Sequence, residues 1–295
     1  MPVSKKPRGK ATPDSSRKTA TAEEIPDRRA MKSFLSTTTG RRRREAIEKA
    51  QDVIYDAWER ATARSRIALA RKALAITPLC SDAYSILAKE ARSVEEAREL
   101  YARGVEAGEL ALGRKGFEEY AGHFWGFLET RPSMRARAGL AGALLRLGDD
   151  AAAIGHYRDM LKLNPGDNQG IRYVLAACLL RRGDEAGLKD LLAAYEDEGS
   201  AHWLYTRALL AFREGRVSED EVVRLVKDAW SANEHVPAIL AGTAFPVISD
   251  GDYIMVGGPD EATEYVAECG LAWRSTPGAV EWLSKILATL TAPRS

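Results

Sequence analysis

Gly148, Gly183 and Gly215 each close an apolar, basic run, and they stand 35 and 32 residues apart. Their settings are Leu144-Leu145-Arg146-Leu147-Gly148-Asp149-Asp150, Leu179-Leu180-Arg181-Arg182-Gly183-Asp184-Glu185 and Ala211-Phe212-Arg213-Glu214-Gly215-Arg216. A glycine in this place ends one helix in the left-handed conformation, and the acidic or polar residues after it cap the next. A turn of this kind every 34 residues or so specifies stacked helix–turn–helix units. One unit cannot bury its own apolar face, so neighbours must stack into a continuous core. The pattern leaves no place for a sheet.

The period is that of the tetratricopeptide repeat (TPR), and the chain resembles TPR proteins. In the unit Met134–Asp167, small and apolar residues recur at Leu140, Ala141 and Ala153, with Tyr157 as the space-filling aromatic and Pro165 as the stop. The unit Asn168–Ala201 repeats this with Val174, Leu175, Gly187 and Leu191. Earlier units run from Ile47 to Thr77 and from Ser81 to Glu109, and a looser one starts at His202. The expected fold is all-α: a TPR-like right-handed α-solenoid of about five to seven helical pairs over residues 41–295.

Residues 1–44 carry 13 Lys or Arg against four Asp or Glu, a net of +9, while residues 45–295 carry a net of −8. Residues 1–40 are expected to form a disordered basic tail, with a short helix at 28–35 capped by Asp27. The sequence shows no apolar leader after the first lysines and no long uncharged apolar run, so a cytoplasmic chain with no membrane segment is expected. Cys80, Cys178 and Cys269 are widely spaced and sit among apolar residues, as core thiols would. No phosphate loop, nucleophile elbow or metal-ligand spacing is present, so no cofactor, no metal and no catalytic residue is expected.

Two strings go beyond a generic repeat: Gly122-His123-Phe124-Trp125-Gly126-Phe127-Leu128-Glu129-Thr130-Arg131-Pro132-Ser133-Met134-Arg135-Ala136-Arg137 and Leu161-Lys162-Leu163-Asn164-Pro165-Gly166-Asp167-Asn168-Gln169-Gly170-Ile171-Arg172-Tyr173. Both resemble the suppression-of-tumorigenicity protein family, and a block from Gly257 to Val280 is similar to that family's tail. The resemblance spans about residues 81–290. It implies a TPR-like scaffold without catalytic residues. The animal members are membrane-attached, but this sequence lacks their apolar segments, so attachment does not carry over.

Counting along the repeats places Lys89, Arg92, Arg135, Gln169, Arg172, Trp203 and Arg213 on the concave face. A basic stripe there suits an acidic peptide or protein partner. His123, Trp125, Glu129, Arg131 and Asn168 form a second, polar cluster. A network that fixes neighbouring repeats is the favoured role, with Glu129 and Arg131 pairing to Arg172 or to the Asn168-Gln169 turn. The main reading is a non-catalytic protein-interaction scaffold. A second has residues 1–44 tether nucleic acid. A third is an enzyme of unknown type at His123, Glu129 and Arg131.

Overall fold

A computed structural model describes residues 25–215, 219–247 and 254–291. Among these residues there are fourteen α-helices, one 3-10 turn and no strand. The first helix, α1, is Arg28–Thr37. Six pairs follow. They are α2 (Gly40–Trp58) with α3 (Ala63–Ile76), α4 (Ser81–Lys89) with α5 (Val94–Tyr120), and α6 (Arg131–Arg146) with α7 (Asp150–Leu163). Next come α8 (Ile171–Arg182) with α9 (Glu185–Ala194) and α10 (Ala201–Glu214) with α11 (Glu219–Ala232). The short α12 (Val236–Leu240) precedes the last pair, α13 (Pro259–Ser275) with α14 (Ala279–Thr291). The all-helical TPR-like solenoid read from the period is the fold observed.

The turn chemistry is as the sequence dictates. Gly148, Gly183 and Gly215 all take positive φ, the region that L-residues with side chains avoid. Directly after two of them, Asp149 and Asp184 cap α7 and α9, accepting from the backbone N–H groups of Ala152 and Gly187. The residue after Gly215 lies outside the described residues. Between neighbouring pairs, small residues allow close approach. Gly104 and Gly108 of α5 face Ala136 and Ser133 of α6, and a Cβ at Gly108 would stand 2.7 Å from the Ser133 Cβ.

Residues 25–40 are part of the folded body rather than of a tail. Asp27 caps α1 by accepting from the Ala30 N–H at 2.9 Å. Met31 is fully buried, the Tyr84 hydroxyl donates to the Pro26 carbonyl, and Arg28 pairs with Glu106. Arg43, within the Arg41–Arg44 run, donates to the Leu35 and Thr38 carbonyls at the end of α1. The rest of the expected tail, residues 1–24, lies outside the described residues.

Two apolar clusters form the core. One runs from Met31 to Ala107, the other from Val105 to Leu283, and Tyr101 touches both. One feature departs from simple stacking. Helix α13 packs on α10 and also on α8, two pairs back. It therefore fills the side of these helices that a regular solenoid leaves open.

Candidate functional site

The part of that side left uncovered by α13 runs along α2 and α6, while α4 between them is buried from Ser81 to Ala88 and exposed only at Lys89. Asp82, in the first turn of α4, is only 1% exposed. It accepts from Arg135 Nε at 2.9 Å, from the Arg135 Nη2 group and from Gln51 Nε2 at 3.0 Å. The Arg135 guanidinium in turn lies 4.9 Å from the ring centre of Trp58. Thus one buried carboxylate ties three helices together and sets an arginine on a tryptophan. Trp58 is 43% exposed and Tyr55 45%, and their rings meet edge-on at 5.5 Å. Lys89 and Arg92 are exposed at the far end of α4 and in the loop after it.

The other expected contact residues are used internally. Arg172 is clamped between the rings of Tyr173 and Tyr195, at 4.5 and 5.3 Å. It pairs with Glu198 and with Asp167, whose carboxylate also caps α8 by accepting from the Ile171 and Arg172 N–H groups. Burial alone would raise the Glu198 pKa. The Ser200 N–H, the Tyr173 hydroxyl and Arg172 outweigh it and hold the carboxyl below the ordinary glutamate range. Gln169 is half-buried in the turn before α8. Trp203 is completely buried. Arg213 donates to Thr276 Oγ1 at 3.0 Å and to the Ala272 carbonyl, in the last turn of α13, at 3.2 Å. Two packing arrangements cover these positions: α13 lies against α8 and α10 and takes Arg213, whereas Arg172 and Trp203 are covered by Tyr173 and Tyr195.

The polar cluster acts as a splint. Phe124–Gly126 forms a 3-10 turn with Phe124 fully buried. The Trp125 N–H donates to Asn164 Oδ1, and Asn164 Nδ2 donates to Asn168 Oδ1, each at 3.3 Å. Arg131 donates to the Trp125 carbonyl at 2.9 Å and stacks on its indole. Glu129 accepts from the Tyr120 hydroxyl at 3.0 Å, and His123 is exposed. The expected pairing of Glu129 and Arg131 with Arg172 or with the Asn168-Gln169 turn is replaced by these partners. The bridge between the two distinctive strings is Asn164, which no motif in the sequence marks. Its amide can donate and accept at once, and its position just before Pro165 was the available signal.

One constellation escaped the sequence reading. His202 Nε2 lies 3.1 Å from Glu268 Oε2 and 3.7 Å from Cys269 Sγ. A nucleophile triad needs its base to touch the nucleophile with one ring nitrogen and an orienting group with the other. Here both neighbours meet the same nitrogen. Cys269 is buried, and desolvation pushes its thiol pKa upward, away from the reactive thiolate. The trio is a clamp between α10 and α13. Among the described residues no three His, Cys, Asp or Glu side chains group as metal ligands would.

No family model matches the chain. It is similar to the protein ST7 homolog of Drosophila pseudoobscura pseudoobscura, with 27% identity over 81% of this chain and 48% of that protein. It is similar to the suppressor of tumorigenicity 7 protein-like of Rattus norvegicus, with 27% identity over 80% of this chain and 46% of the other. The resemblance carried by the two strings is thus matched along most of the chain. The chain spans about half the length of these curated relatives. A solved structure of pilF from Pseudomonas aeruginosa aligns at 18% identity over 64% of this chain and 92% of its own, with a TM-score of 0.31. Among the described residues no helix is long and apolar enough to cross a membrane.

Proposed function

We propose that the chain is a non-catalytic protein-interaction scaffold that takes an acidic, apolar-bearing segment of a partner on the face formed by α2, the C-terminal end of α4 and α6. The observation that carries this reading is the half-exposed Trp58–Tyr55 pair, with Arg135 set on the indole. Aromatic and arginine side chains held on rigid helices are the residue types that dominate protein interfaces. Lys89 and Arg92 add unburied cations to the same run of helices. Support for the non-catalytic part comes from the internal roles found for Glu129 and Arg131 and from the burial of Cys269. Three buried, unbridged cysteines fit a reducing cytoplasmic setting.

The test is quantitative affinity capture from a nuclease-treated native lysate. Wild type is compared with Trp58→Ala and with the double variant Lys89→Glu plus Arg92→Glu. Each variant is expected to lose most of a stoichiometric protein partner while melting as wild type does. Equal recovery by all three would overturn the reading.

A second reading, nucleic-acid binding through residues 1–44, has one observation in its favour. Arg41, Arg42 and Arg44 are exposed in the first turn of α2, where the helix dipole disfavours cations. Binding of a fluorescent oligonucleotide should then fall steeply with salt and vanish when residues 1–24 are deleted and these three arginines become glutamines. Salt-insensitive binding, or none by the intact chain, removes this reading.

A further inference from the structure

The outer face of α2 carries charge that nothing in the described fold answers. Glu48, Asp52 and Asp56 step along it at intervals of four residues, Glu59 is the C-cap, and all four are exposed. None of the four has an ion-pair or hydrogen-bond partner among the described residues, whereas Glu45 is taken by Arg41. Lys49 is the one cation between Glu45 and Glu59, and it is exposed and pairs with none of them. The placement is unfavourable for the helix by itself. Asp56 and Glu59 stand in and just after the last turn of α2, where the helix dipole repels anions. Tyr55, 45% exposed, borders the same stripe.

The complementary charge lies in the same chain. Residues 1–22 hold Lys5, Lys6, Arg8, Lys10, Arg17 and Lys18 against Asp14 alone. This segment joins the body at Ile25 and Pro26, whose carbonyls accept from Arg103 and from the Tyr84 hydroxyl. Tyr84 lies in the same apolar cluster as Ala50, Ile54 and Ala57 on the inner face of α2. The tail therefore starts on the unit that α2 helps to close. Its 24 residues reach up to about 80 Å when extended, against about 28 Å for the whole of α2.

We infer that residues 5–10 of the tail lie along the outer face of α2 in the same molecule. The charge spacing suits this occupant. In an extended chain Lys6, Arg8 and Lys10 share one side at steps of about 6.6 Å. On the helix Glu48, Asp52 and Asp56 rise by about 6 Å per step. Each exposed pair is weak alone, but the tether makes their formation intramolecular, so several act together. The cations also answer the anions at the end of α2, where positive charge is favoured. One consequence rests on the proposed function: a neutralised stripe no longer repels an acidic partner at Trp58. The docking itself is tested with no partner present.

The full chain is digested with dilute trypsin at low salt, and cleavage after Arg8 and Lys10 is followed by intact mass. Wild type is compared with Glu48→Gln plus Asp52→Asn plus Asp56→Asn. A control makes the same change of charge at exposed positions on and after α9, with Asp190→Asn plus Glu196→Gln plus Asp197→Asn. Wild type and control should be cut about fivefold more slowly than the α2 variant, at a rate independent of protein concentration. The difference should vanish in 1 M salt, where screening acts within about 3 Å. Equal rates for all three proteins, or a control released as the α2 variant is, would overturn the inference. Protection that grows with protein concentration would give the tail to a second copy. Protection that appears only with added oligonucleotide would give it to nucleic acid, and either result overturns the intramolecular contact.

Discussion

Arg135 and Arg172 show how one side-chain type serves as a girder. Each guanidinium lies over an aromatic ring and reaches a carboxylate that is almost fully buried, Asp82 or Asp167. Reversing either charge would strand that carboxylate, at a cost of about 3–5 kcal/mol. Arg135→Glu should therefore lower Tm sharply, whereas Arg92→Glu at an exposed site should leave it nearly unchanged. Glu198 gives a pH signature. Its folded pKa lies below its ordinary value of 4.5, so its stabilisation is full above that pH and is lost as pH falls through the depressed value. In thermal melts, Glu198→Gln should be less stable than wild type at neutral pH, and the gap should narrow below 4.5. The thiols offer a third check. Burial raises the Cys80 pKa to about 12 and that of Cys269 further, so native protein should resist an aromatic disulfide reagent until denaturant is added. Residue types were legible in the sequence, but their assignment to a ligand or to the fold was not. An arginine at a nominal contact position looks the same whether solvent or a buried carboxylate faces it.

Helix pairing was the most legible level, because its signals are local. The Gly-Asp turns at 148–149 and 183–184 specify a left-handed stop and a side-chain cap within two residues. Less legible was the reach of α5. It continues past Glu109 to Tyr120 across a break at Gly113, where φ is 62° and ψ 174°. Close crossings can be tested directly. Gly108→Ala would push a methyl into Ser133 and should cost about 1–3 kcal/mol. Gly142→Ala, in a helix with nothing within 4 Å of the new Cβ, should gain roughly 0.5–1 kcal/mol. Chemical denaturation of the pair separates packing from propensity. Equal effects would mean that the α5–α6 crossing is looser than described.

At the scale of the molecule, the return of α13 onto α8 and α10 decides which surface is left for a partner. No local pattern announces it, because it depends on the accumulated rotation of the stacked pairs and on the long link after α12. That is why Arg213 is not available there: its partners come from 59 to 63 residues further along the chain. Trp203 is covered instead by the rings of Tyr173 and Tyr195. The open face is accordingly confined to α2, the C-terminal end of α4 and α6. Hydrogen–deuterium exchange of the full chain, with and without the captured partner, tests this most directly. The account predicts new protection in peptides covering 51–58, 85–92 and 131–135, with α8 and α10 unchanged. Protection concentrated on α8 and α10, with none on α2 and α4, would contradict it.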